Sequence, residues 1–248
     1  MAVDVSPIVN PNCLCLDSKR RCKMKIIDPS IEVTFYMPDN GQTPEQSIEA
    51  AGRTCYKSED RITNSSADKF VRMIRKRGHH AMLEFGYATA RIIADRGLTH
   101  ELVRHRLCSF AQESTRYCNY GKGKFNSEIT VIAQPGIEYG TQEYEIWRTA
   151  MEHIEKWYMA LLDLGVPSQV ARSVLPIGLK AEIVIGANLR EWRHIFDMRC
   201  AKSAHPIIRG VMLKALKDFY MKMPSVYADQ VDKFYDKSEM MGGQDGEK

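Results

Sequence analysis

An α+β fold is expected from this sequence: a single domain in which a mostly antiparallel sheet is packed by several helices. Three features point there. Helical and strand-like segments are mixed without a βαβ rhythm. The 248 residues are 44% hydrophobic and 27% charged, an ordinary globular balance that supports a packed core. No internal repeat and no Pro- or Gly-rich linker divides the chain. The expected organisation is an N-terminal extension over 1–30, one domain over 31–237 and a polar, Gly-rich, disordered tail over 238–248.

The elements follow in order. Residues 1–30 lack sustained periodicity and read as an arm. Ile31 to Tyr36 alternates as a strand does. Residues 44–57 read as a helix with Ile48, Ala51 and Cys55 on one face. Ser66 can cap a second helix whose apolar stripe is Phe70, Val71 and Ile74. Arg75, Lys76 and Arg77 suit its C-terminus, and Gly78 ends it. Leu83 to Ile93 reads as a long strand, with Gly86, Ala88, Ala90 and Ile92 on one face. A face of small residues implies close approach of a helix or a flat ligand. Leu98 to Leu107 reads as a short helix, and Phe110 to Tyr117 as extended. Trp147, Met151, Ile154, Tyr158 and Leu161 fall at helical steps within a helix over 141–164. Pro167 opens a short helix through Arg172. Ile183 to Ile185 reads as a short strand or buried segment, Leu189 to Cys200 as a helix. The last expected helix starts near Pro206 and buries Ile208, Met212, Ala215 and Phe219.

Composition excludes several function classes. The net charge of +4 is mild and its basic residues are spread out, which argues against a general nucleic-acid binder. No run of about 18 apolar residues is present, so no membrane span is expected. The first residues, with Asp4, Pro7 and Pro11, lack an apolar signal core. The seven cysteines form no CxxC pair, and free thiols fit a reducing compartment. Cys13, Cys15 and Cys22 could hold a metal only with a fourth ligand from elsewhere, and no metal is expected. A cytoplasmic location follows, in a bacterium or in the host of a virus.

The strongest local signal is Arg104-His105-Arg106, followed by Ser114, Arg116 and Tyr117. On a helix Arg104 and Arg106 point about 200° apart and need not share a partner. The tripeptide alone fits either a solvated basic helix end or an anion site. Ser114 and Arg116 lie two apart, so in an extended segment they share a face. A hydroxyl beside a guanidinium is a phosphate grip, because the planar fork bonds two phosphate oxygens at once. His79, beside His80, could simply close a helix. Trp192 suits the core better than a stacking platform. Cys108 suits an inert buried thiol better than a nucleophile.

Arg-His-Arg, seven residues, then Ser resembles the signature of flavin-dependent thymidylate synthases, and Arg104 to Ser114 fits it without a gap. Gly78-His79 with Glu84 resembles the GHxSxxE segment of that family. Ala51-Gly52-Arg53-Thr54-Cys55-Tyr56 resembles its early helix end. Ala171-Arg172 through Pro176, Asn188-Leu189-Arg190 and Met198-Arg199 resemble its ARxxLP, NxR and LR segments. Order and spacing agree from about residue 31 to 220.

The resemblance implies FAD-dependent C5 methylation of dUMP to dTMP, with methylenetetrahydrofolate as one-carbon donor and a reduced nicotinamide, NADPH, as reductant. It implies a homotetramer with shared active sites and an FAD site outside any Rossmann domain. FAD would be held by His79, Glu84, Arg104, His105, Arg106, Asn188, Arg190 and His194. The nucleotide would be held by Arg104, Gln112, Glu113, Ser114, Arg116, Arg172 and Arg199. Arg199, His79 and Ser114 would stand at the catalytic positions, with Arg199 facing the pyrimidine ring. Some positions depart from the family pattern. Ala81 replaces a small hydroxyl residue, and Phe85 a His. Ala88 and Ala90 replace aromatics, Glu101 replaces Gln, and Ala111-Gln112 replaces Asn-Glu. Gln169 stands where an acid is frequent. These changes leave a second reading of the same scaffold, acting on another pyrimidine nucleotide or transferring a hydroxymethyl group.

Overall fold

The computed structural model describes residues 23–37 and 41–235. The arm before residue 23, with Cys13, Cys15 and Cys22, and the tail from 238 onward lie outside the described residues. The chain divides into two compact units. One comprises 1–25, 114–130 and 139–176; the other comprises 26–113, 131–138 and 177–248.

The larger unit is built on a four-stranded antiparallel sheet. Its strands are β2 (Ser30–Phe35), β3 (Tyr87–Asp95), β4 (Ser109–Gln112) and β6 (Lys180–Asn188), in the order β2-β3-β6-β4. A short ribbon joins β1 (Lys25–Ile27) to β5 (Thr130–Ile132), so a strand falls inside the stretch read as an arm. The nine-residue β6 replaces the short segment expected at Ile183 to Ile185 and occupies a central place.

The face of small residues on β3 has a structural cause. Ala88, Ala90, Ile92 and Ala94 are buried, and the indole of Trp192 packs close enough to donate its N–H to the Ala88 carbonyl at 3.1 Å. Trp192 is therefore core, as its size and apolar body favour. It stands on α6 (Leu189–Arg199), which with α7 (Pro206–Lys222) and α8 (Pro224–Phe234) covers this face. Trp192, Phe196, Phe219 and Tyr227 form one aromatic cluster with ring centroids 4.8–5.7 Å apart. Each such pair contributes roughly 0.5–1.5 kcal/mol beyond burial. Ile208, Met212, Ala215 and Phe219 are buried as expected. The further helix α8 was not anticipated, although Pro224 at its start is a legible signal.

α1 (Pro44–Thr54) carries a capping box between Thr43 and Gln46 and buries Ile48; Cys55, expected on its inner face, is exposed beyond its end. α2 (Ser66–Lys76) is flanked by Ser65 rather than capped by Ser66, whose hydroxyl bonds Glu49 at 2.7 Å. Gly78, at φ +73°, closes α2 as expected. The His79 N–H bonds the Ile74 carbonyl and the Gly78 N–H bonds that of Arg75, a Schellman ending. Residues 80–85 form a 3-10 turn, so the strand expected from Leu83 begins at Tyr87. Gly86 then meets Leu189 so closely that any side chain there would collide with it.

The smaller unit contains α4 (Gln142–Asp163), capped by Thr141, and α5 (Ser168–Ala171), continued by a 3-10 turn through Val174. Tyr158 and Met159 are its buried apolar side chains on α4. Buried Glu155 accepts backbone N–H groups from Lys23, Met24 and Ile129 at 2.9–3.2 Å, so its charge is internally solvated. No helix among the described residues is long and apolar enough to cross a membrane.

Candidate active site

Strand register gathers the site at one end of the four-stranded sheet. Tyr87 at the start of β3 pairs with Asn188 at the end of β6, and Ser109 at the start of β4 pairs with Gly186. The segments just before β3 and β4 and just after β6 therefore meet. They carry Glu84, Arg104-His105-Arg106 and Asn188-Leu189-Arg190 respectively. Around them lies a cavity of about 650 Å³ that also includes Leu107, Glu191, His194, Met198 and Arg199.

The tripeptide does not lie on a helix. α3 (Arg96–Leu102) ends earlier than expected, and residues 103–107 form turns. The helix buries Leu98 and Leu102, while Leu107 is 77% exposed. The apolar period therefore stops at Leu102, and the turn buries His105 while exposing Arg104 and Arg106 on either side. Neither arginine has a carboxylate partner among the described residues.

α6 supplies the opposite wall. The Asn188 side-chain oxygen caps the helix by accepting the Glu191 N–H at 2.8 Å, which leaves its NH2 group to donate elsewhere. Arg190, His194 and Met198 follow at steps of one turn on the same face. Arg190 bonds Glu84 at 2.6 Å, with both side chains about half exposed. Such a pair holds only about 0.2–1 kcal/mol, so an anion could displace it.

Arg199, at the end of α6, is held far more firmly. It donates Nε–H to His105 Nε2 at 3.0 Å, one Nη–H to Glu101 Oε2 at 2.7 Å and another to the Glu101 carbonyl at 2.9 Å. His105 lies 5.7 Å from the ring of His194, and its Nδ1 stands 3.7 Å from Glu191 Oε1. Burial, then the Arg199 charge and His194, pull the His105 pKa down to about 4. His105 is thus neutral at ordinary pH.

His105, Glu191 and His194 each offer a ligand atom within 4.8 Å of the others, a set a metal ion could use. Arg199 bonds one nitrogen of His105, and four arginines line the same cavity, an environment that disfavours a cation. Cys108 lies 4.0 Å from Glu191, and burial followed by that charge pushes its thiol up to about 12. It stays protonated and is no nucleophile.

The remaining expected residues fall elsewhere. His79 is exposed and lines a second cavity of about 840 Å³ together with Arg53, Lys57, Arg61, Phe70 and Arg77. Gln112 donates to the buried Thr99 hydroxyl at 2.9 Å, and Glu113 pairs with Lys180 at 2.7 Å. Ser114, Arg116 and Arg172 belong to the smaller unit. The segment 114–118 is a turn and not the extended stretch expected, so the shared-face argument for Ser114 and Arg116 fails. The Ser114 carbonyl accepts from Tyr117 and Cys118, and its hydroxyl accepts the Arg116 N–H at 3.3 Å. The turn does meet α5 and the residue that follows it. Arg116 donates to Gln169 at 3.2 Å and stacks on Tyr117, while Arg172 donates to the Thr115 hydroxyl at 3.2 Å. Both guanidinium groups have neutral partners only, among the described residues.

Two acids in the larger unit escaped the sequence reading. Glu101 was visible only as a departure from a family pattern. Glu191 looks like the third-turn-residue half of a helix cap after Asn188, yet its carboxylate faces His105.

The fold and the cavity define a class: an α+β protein with an arginine-lined cleft at a sheet end and, among the described residues, no Rossmann unit. Comparison with known proteins makes this specific. The family model described as Thymidylate synthase complementing protein matches residues 35–225, and the chain belongs to that family. Flavin-dependent thymidylate synthase of Corynebacterium diphtheriae is 32% identical over 203 residues, covering 75% of this chain and 78% of the relative. That of Geobacter sulfurreducens is 31% identical over 194 residues, covering 75% and 82%. That of Corynebacterium efficiens is 34% identical over 215 residues, covering 79% and 84%. The fold also matches a UMP/dUMP methylase, PolB, from Streptomyces cacaoi bound with 5-Br dUMP. The TM-score is 0.66 at 21% identity, covering 85% of this chain and 97% of that one. The chain is an enzyme of the flavin-dependent thymidylate synthase type.

Proposed function

We propose that this enzyme methylates C5 of dUMP to give dTMP, using FAD, methylenetetrahydrofolate and NADPH, as a cytoplasmic homotetramer with shared active sites. The observation that carries the reading is the single cavity joining Glu84, Arg104, His105, Arg106, Asn188, Arg190, His194 and Arg199. Its donor set fits FAD. Arg104, Arg106, Arg190 and Arg199 outnumber Glu84 and Glu191, so the cavity carries the excess positive charge that a diphosphate requires. The Asn188 amide and the His194 ring add further donors for ring edges. When bound, FAD supplies the hydride that completes the methyl group, after reduction by the nicotinamide.

The protein's own tasks follow from the geometry. Arg104, Arg106 and Arg190 bind the cofactor's charge. Arg116 and Arg172, with Ser114, bind the nucleotide phosphate, since their neutral partners leave the full cationic charge for an anion. Each charge-assisted bond contributes ~1.5–3 kcal/mol. Arg199 faces the pyrimidine and stabilises negative charge that grows on the carbonyl oxygens as C5 reacts. Ser114 has no base beside it among the described residues, which favours binding over nucleophilic attack.

The test is product analysis. Purified protein should be yellow and should convert dUMP, and not UMP or dCMP, to the 5-methyl nucleotide when given methylenetetrahydrofolate and NADPH. Colourless protein without FAD binding, or a hydroxymethyl product, would replace this reading.

A further inference from the structure

Beside the same cavity runs a partly buried polar chain whose members come from three parts of the sequence. Glu101 stands on α3, His105 on the following turn, and Glu191 and Arg199 at opposite ends of α6. Resting on the proposed role of Arg199 at the pyrimidine ring, we propose that Glu101, His105 and Glu191 are positioning residues that fix the Arg199 guanidinium in one plane.

The hydrogen-bond directions leave little freedom. Arginine Nε–H can only donate, so His105 Nε2 must accept. A neutral imidazole then carries its proton on Nδ1, the atom nearest Glu191. A doubly protonated ring would set N–H against N–H and break the contact. His105 therefore acts as an acceptor wedge, and its side chain is only 3% exposed. Glu101 completes the hold from the other side through its carboxylate and its own carbonyl. These contacts use three of the five guanidinium N–H groups and leave two for the cavity that Arg199 lines.

Glu101 has a second consequence. Its carboxylate offsets part of the Arg199 charge, whereas glutamine could accept the same hydrogen bond without doing so. Position and charge can therefore be separated by substitution. Glu101→Ala removes both carboxylate functions, and Glu101→Gln keeps the acceptor.

Two measurements on the full-length holoenzyme test the proposal. In steady-state kinetics, Glu101→Ala should lower kcat on the order of 10–100-fold with little change in KM for dUMP, at unchanged FAD content and melting temperature. Glu101→Gln should recover most of that loss. Equal kcat for wild type and Glu101→Ala, or no recovery in Glu101→Gln, would overturn the positioning role. Wild-type protein inactive on dUMP would instead overturn the reaction assigned above. The second measurement needs no turnover. Carbon-13 NMR of histidine-labelled protein should show His105 as the Nδ1–H tautomer in wild type, shifting toward Nε2–H in Arg199→Met. An Nε2–H tautomer in the wild type would contradict the network directly.

Discussion

The two arginine groups of this molecule are held in opposite ways. At the sheet end of the larger unit, Arg199 is bound by a carboxylate, a backbone carbonyl and an imidazole, with 15% of its side chain exposed. On the 114–118 turn of the smaller unit, exposed Arg116 and Arg172 lean on an amide and a hydroxyl. An arginine locked by an acid is pre-set in orientation but partly neutralised. An arginine with neutral partners is looser and keeps its whole charge. The first arrangement suits a group that must meet developing charge in a set geometry. The second suits tight binding of a phosphate, whose charge does not change during reaction.

The comparison can be broken by substitution, and the largest effect is expected at the locked residue. Arg199→Ala should reduce kcat/KM by on the order of a hundredfold or more, mostly through kcat. Steady-state kinetics with dUMP at saturating folate would measure it, and an effect confined to KM would remove the distinction between the groups. Arg116→Ala and Arg172→Ala should each raise KM for dUMP by about tenfold to a hundredfold with kcat nearly kept, as loss of a ~1.5–3 kcal/mol uniform contact requires.

A smaller effect follows from His105. Its imidazole titrates at about 4 in the fold against 6.5 when free, because of burial first and the Arg199 charge next. Between those values the unfolded chain binds a proton that the folded chain refuses. The unfolding free energy should therefore be fully retained above pH 6.5 and fall progressively as pH drops toward about 4. Urea unfolding across that range would measure the slope. Arg199→Met removes one cause of the shift and should flatten it. The smallest effect is expected for the exposed Glu84–Arg190 pair. Glu84→Gln should change stability by no more than about 1 kcal/mol, while Arg190→Ala should release FAD on dilution, read by flavin fluorescence.

Much of the core was legible because periodicity reports burial. The α7 stripe and the small-residue face of β3 follow from spacing alone. The site was legible as a set of residues but not as a geometry. Arg104-His105-Arg106 continues the chain after Leu102 with no glycine or proline to mark a turn, so a longer helix was expected. Phe110 to Tyr117 reads as extended, but the Ser114 hydroxyl and carbonyl both bond forward and curl the segment into a turn. Glu101 and Glu191 were the hardest to read. A single acid on a helix usually means a solvated face, and only the fold shows that these two converge on Arg199 and His105.

The division of labour between the two arginine groups is tested most directly by steady-state kinetics on Arg116→Lys and Arg199→Lys side by side. Lysine keeps the charge but lacks the planar fork. The account predicts that Arg116→Lys mainly raises KM for dUMP, whereas Arg199→Lys mainly lowers kcat. If Arg199→Lys changed only KM while Arg116→Lys lowered only kcat, the assigned roles would be reversed.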